Sequence, residues 1–89
     1  MYVLILYVYF DSVKVVLNIF HERLKYLRKD NNITQKTISN YLEIHINSYQ
    51  KYEQGTREPN FDTLLKIANY FNVSIDYLFG RTDNPEINH

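Results

Sequence analysis

Few side chains in this sequence are grouped for chemistry of their own. Cysteine is absent, so thiolate metal sites and disulfide staples are excluded. The three histidines, His21, His45 and His89, fall in separate segments, and no two of them share a metal site by spacing. No nucleophile–base pattern and no glycine-rich phosphate loop occur, so an enzyme is not expected. What remains is ionic and hydrogen-bonding capacity. Residues 19–66 carry eight Lys/Arg (Arg23, Lys25, Arg28, Lys29, Lys36, Lys51, Arg57, Lys66) against six acids. So slight an excess limits any phosphate binding to short range. His45 could add a phosphate contact when protonated, and the plainer reading is an exposed residue at a helix start. Tyr49 and Tyr52 could stack on bases as single-strand binders do. Their i, i+3 spacing instead turns both inward, as core residues.

These residues need elements to hold them. From residue 19 the apolar period is helical. Phe20, Leu24 and Leu27 make the stripe of a first helix, which should stop at Asn31-Asn32 because Asn tolerates the left-handed conformation. Apart from Arg28, its basic residues read as a solvated face. Thr34 can cap a second helix carrying Ile38 and Leu42. A third runs from about Ile46 to Gln54 and stops at Gly55. Asn60 caps a fourth, with Leu64, Leu65, Ile67, Ala68 and Phe71 as a broad buried face. Ser74 caps a short fifth, with Asp76 at its positive end and Leu78-Phe79 inward. Leu42 to Ile46 leaves room only for a sharp turn, so the second and third helices should cross steeply. That is helix-turn-helix geometry, in which the second of the pair is presented to a DNA major groove.

The 89 residues suffice for one small domain. Nine tyrosines and five phenylalanines, with Ala68 the sole alanine, imply a core built from large rings. The formal net charge is zero. The organisation expected is an apolar N-terminal extension (1–18), a helical domain (19–80) and a polar tail (81–89). The opening run MYVLILYVYF is apolar for ten residues before Asp11, half of what a membrane span needs. Nothing basic precedes Lys14, so a signal peptide is not expected, and the chain reads as soluble and cytoplasmic. The run is rich in Val, Ile and Tyr, which suits strands. A β-hairpin of Val3–Phe10 with Val13–Ile19 around Asp11-Ser12 is expected. Being apolar on both faces, it must be covered by a partner chain, giving a dimer, or by its own domain. A segment added by an upstream start codon is a third reading.

Residues 23–80 resemble the Cro/phage-repressor (XRE) type of helix-turn-helix family. The motifs are RLKYLR, then TQ opening helix two, YEQG closing helix three, REP, TLLKIANYFNVS and DYLFG. In order and without gaps, they cover about two thirds of the chain. The resemblance implies an all-α, five-helix repressor-like bundle that binds double-stranded DNA as a transcriptional regulator, in homodimeric form. It implies base reading by Ile46, Asn47, Ser48, Gln50 and Lys51. It implies phosphate contacts from Gln35, at the start of helix two, and from Gln54 and Arg57. It also implies an ion pair between Arg28 and Glu53 that fixes the recognition helix. No cofactor, metal or small-molecule substrate is implied. The alternative is a protein-interaction module that reuses the fold, such as an antitoxin-like partner binder.

Three positions depart from the family pattern. Glu43 stands where the turn usually has glycine, so a longer or reshaped turn is expected there. His45 replaces a small capping residue, and Ile46 replaces a polar base reader.

Overall fold

The computed structural model describes residues 19–87 of the chain. Five helices follow one another: α1 (19–30), α2 (Gln35–Leu42), α3 (Ile46–Gln54), α4 (Phe61–Phe71) and α5 (Ile75–Leu78). No strand occurs among the described residues. The hairpin expected over Val3–Ile19 lies outside them except at Ile19, which is helical instead. Ile19 belongs to α1 and lies close over Gly80.

Helices α1 to α4 end in one manner. A single residue turns left-handed: Asn32 (φ 56°), Glu43 (58°), Gly55 (78°) and Asn72 (55°). The next residue's N–H then donates five positions back: Ile33 to Arg28, Ile44 to Ser39, Thr56 to Lys51 and Val73 to Ala68. This pattern satisfies carbonyls that the helix leaves unpaired. Ile33, Ile44 and Val73 also pack on the core, which ties each turn to the interior.

Glu43 corrects the expectation of a longer turn. It takes the glycine conformation itself, at φ 58° and ψ 40°, and α3 starts at Ile46. Its Cβ costs about 1–2 kcal/mol in that region. The two backbone hydrogen bonds at the turn and the packing of Ile44 offset that cost. Glu43→Gly should therefore raise stability by up to about 1 kcal/mol, after the extra freedom of glycine in the unfolded chain is subtracted. Urea unfolding measures this, and a destabilised variant would show that the turn is unstrained.

The helix starts are capped by side chains. Thr34, Asn60 and Ser74 accept from the backbone N–H three residues on. His45 caps α3 with its imidazole, Nδ1 accepting from the Asn47 N–H at 3.2 Å. It is thus an exposed residue with a structural task.

The core gathers Phe20, Leu24 and Leu27 from α1, Ile38 and Leu42 from α2, and Tyr49 and Tyr52 from α3. Leu64, Ile67 and Ala68 of α4, with Val73 and Leu78, close it. Burying each large apolar side chain contributes about 1.5–3 kcal/mol. Leu65, expected inside, is exposed, and Phe71 is half-buried. The buried stripe of α4 follows Leu64, Ile67 and Ala68, so Leu65 rotates away from it. Tyr41 lies at the core edge against the Tyr70 ring, with centroids 4.6 Å apart.

Arg23 also departs from the solvated face expected of α1. Its guanidinium sits 4.3 Å from the Tyr77 ring centroid and donates to the Tyr77 carbonyl. It donates further to the Thr82 carbonyl at 2.8 Å and to Asp83 at 2.7 Å. Ser74 N–H reaches the Pro85 carbonyl at 3.0 Å. The segment 81–87, expected as a tail, is therefore fastened to α1 and α5.

Candidate nucleic-acid interface

Helix α3 divides by face. Tyr49, Tyr52 and Glu53 are buried. Asn47, Lys51 and Gln54, at i, i+4 and i+7, form an exposed stripe. Ile46, Ser48 and Gln50 flank it, half-buried. Arg57, in the loop after α3, is exposed. The stripe offers an amide, an ammonium and a second amide in one row. Its side chains can bond base edges or phosphate oxygens.

What holds the stripe in place is an ionic network behind it. Arg28 of α1 grips Glu53 with two hydrogen bonds, Nε to Oε2 at 2.6 Å and Nη2 to Oε1 at 3.0 Å. Only 13% of the Arg28 side chain and 4% of the Glu53 side chain are exposed, so water screens the pair little. The Tyr49 hydroxyl donates to the same carboxylate, and so does Gln35 Nε2, at 3.2 Å. Arg28 Nη1 donates to the Ile33 carbonyl at 3.1 Å, which ties the α1–α2 turn into the network. Among the described residues, every buried side-chain nitrogen or oxygen has a hydrogen-bond partner.

The network shifts the acidity of its members. Burial alone would raise the Glu53 carboxyl, but hydrogen bonds from Arg28, Tyr49 and Gln35 outweigh it. The carboxyl is held below the usual range. Burial, then the bond to Glu53, pushes the Tyr49 hydroxyl well above its ordinary value. The bond to Glu53 raises Arg28 against the opposing effect of burial. Because the folded Glu53 value is depressed, its contribution is fully present above the unfolded value, about pH 4.3. It is lost as pH falls through the folded value. Urea midpoints measured between neutral and acid pH should drop in that window, and a flat profile would contradict the assignment.

Two of the residues expected to contact DNA are engaged within the protein. Gln35 is half-buried and bonded to Glu53. Gln50 donates to Gln35 Oε1 at 3.1 Å rather than pointing freely outward. Spacing along one helix carries no sign of this cross-helix pair. Beside the surface, no described helix is long and apolar enough to cross a membrane. Among the described residues, no group of three His, Cys, Asp or Glu could hold a metal ion.

Comparison with known proteins accords with this geometry. The sequence model of the helix-turn-helix family matches residues 24–78. The uncharacterised HTH-type transcriptional regulator YqaE of Bacillus subtilis is 40% identical over 76% of this chain and 59% of its own length. The HTH-type transcriptional regulator ImmR of Bacillus subtilis is 44% identical over 70% of the chain and 49% of its own length. The cryptic phage CTXphi transcriptional repressor RstR of Vibrio cholerae is 43% identical over 73% of the chain and 58% of its own length. The chain thus spans about half to three fifths of these relatives. The match covers α1 from Leu24 onward and all of α2 to α5, and with them the turn and the ion pair that aim α3, so the chain belongs to the helix-turn-helix family, in its Cro/phage-repressor type.

Proposed function

We propose that this chain regulates transcription, as its relatives' names say of them, by binding double-stranded DNA sequence-specifically with α3 in the major groove. The observation that carries the reading is the exposed stripe of Asn47, Lys51 and Gln54 on a helix whose other face is locked by Glu53. Asn47 pairs with adenine edges, Lys51 reaches guanine oxygens, and Ile46 meets thymine methyls. Ser48 serves either base type at the helix start. Gln54 and Arg57 contact phosphate and set the register, with the remaining Nε2–H of Gln35 beside them. The protein acts as a homodimer in the cytoplasm. One recognition helix reads only a few base pairs, and two half-sites one helical turn apart multiply the discrimination.

Binding to a random-sequence duplex, compared at about 50 mM and about 200 mM salt, tests the DNA reading. Measurable binding at low salt that weakens with added salt is expected. No binding at low salt would contradict it and favour a protein-interaction module. Arg57→Ala should weaken all duplexes alike and flatten the salt slope by about 0.9, one phosphate's worth. An unchanged slope would remove Arg57 from the interface.

A further inference from the structure

The apolar opening segment of the chain needs a surface to cover it, and the helical domain offers one. A groove of about 400 Å³ lies between α4, α5 and the fastened segment 81–87. Leu65 and Ala68 of α4 line it, with Val73 and Ile75 beyond them and Ile87 on the segment. Leu65 is 37% exposed and Ile87 38%, although both are large and apolar. Apolar side chains gathered in an open concave surface mark a place where something docks. The far wall is held from behind. Arg23 donates to the Thr82 carbonyl and to Asp83, and the Ser74 N–H donates to the Pro85 carbonyl. The rim is acidic. Asp76, 3.9 Å from Arg81, and Glu86 stand on it, and no Lys, Arg or His among the described residues lines the groove.

A matching occupant lies close by in the chain. Val13, Lys14, Val15, Val16 and Leu17 set the sole basic residue of positions 1–18 among aliphatic ones. They lead into Ile19, whose side chain lies over Gly80. Arg23, one helical turn along from Ile19, bonds to Thr82 on the groove wall. The chain therefore enters α1 beside the groove. Extended backbone advances about 3.3 Å per residue, so the stretch from Val13 to Ile19 reaches up to about 20 Å, longer than a groove of this volume is wide.

We infer that residues 13–17 dock in the groove of their own chain, with Val13, Val15 and Leu17 on its apolar floor and the Lys14 ammonium at the Asp76–Glu86 rim. Alternate side chains of an extended run share a face, which sets the three aliphatic groups together. The long stem of Lys14 bends from the opposite face to the rim. This half of the apolar extension is then covered by its own domain and not by a partner. No described residue of α3 lines the groove, so docking leaves the exposed stripe open. The placement is independent of the DNA reading.

The chain has no cysteine, so paired substitutions report contact directly. Val15→Cys with Leu65→Cys, oxidised at low protein concentration, should link within one chain, giving a monomer on a non-reducing gel and a 15–65 bridge in the digest. Val15→Cys with Lys36→Cys, on α2, which does not line the groove, should link far less. A link between two chains would overturn the placement and give the groove to a second copy. Equal linkage at both positions, or none, would overturn the docking itself. Alkylation of Leu65→Cys alone gives a second reading, and Leu65 lies outside the core, so its replacement spares the fold. Adding Val15→Asp should speed that alkylation roughly tenfold, because it releases the cover. An unchanged rate would contradict the docking.

Discussion

Arg28→Ala is expected to destabilise the domain by about 3–5 kcal/mol, because it leaves the Glu53 charge buried without its partner. A small domain commonly has only about 5–15 kcal/mol in total, so the variant should be largely unfolded on modest heating. Glu53 keeps the Tyr49 hydroxyl and Gln35 as donors, but neither carries charge. The pair as a whole is another matter. Desolvating both ions costs nearly as much as their attraction returns, so Arg28→Met with Glu53→Leu should cost less than Arg28→Ala alone, about 1–3 kcal/mol for the Tyr49 hydroxyl left without its acceptor. That double variant should also lose the acid dependence that Glu53 gives the wild type. Thermal and urea unfolding of the three proteins decide the matter. A single variant as stable as wild type would mean that the pair does not hold α3 against α1.

The second large effect is on DNA. Asn47→Ala with Lys51→Ala should cost about 2–6 kcal/mol of discrimination between operator and random duplex, at about 1–3 kcal/mol per base contact. The two residues are one helical turn apart, so the sum is an upper figure. Both are exposed, and stability should stay within about 0.5 kcal/mol of wild type. The contrast with Arg28→Ala separates residues that read from residues that aim. Unchanged operator affinity in the double variant would move the recognition surface elsewhere.

Much of the fold is legible in the sequence because helix ends are written in local chemistry. Thr34, Asn60 and Ser74 start helices, and Asn32, Gly55 and Asn72 end them, each by a hydrogen bond or backbone angle within a few residues. The inward turn of Tyr49 and Tyr52 follows from period alone. The parts that escaped are long-range or tertiary. Glu43 has no intrinsic liking for the left-handed region, and only the packing of Ile44 and the turn's hydrogen bonds hold it there. Arg23 finds partners more than 50 residues away, which no helical pattern registers. The pairing of Gln35 with Gln50 crosses two helices and depends on how Glu53 is buried between them. At the site, the residue types suited to reading DNA were visible. Which of them are tethered behind the surface was not.

The most direct test of the account is selection of duplexes from a random pool by the wild-type chain, with the Asn47→Ala, Lys51→Ala variant alongside. The account predicts that the wild type enriches a palindromic motif with half-sites about 10 bp apart, and that the variant enriches none while still binding at low salt. A wild-type pool that stays random, or the same motif enriched by the variant, would contradict the claim that α3 reads DNA.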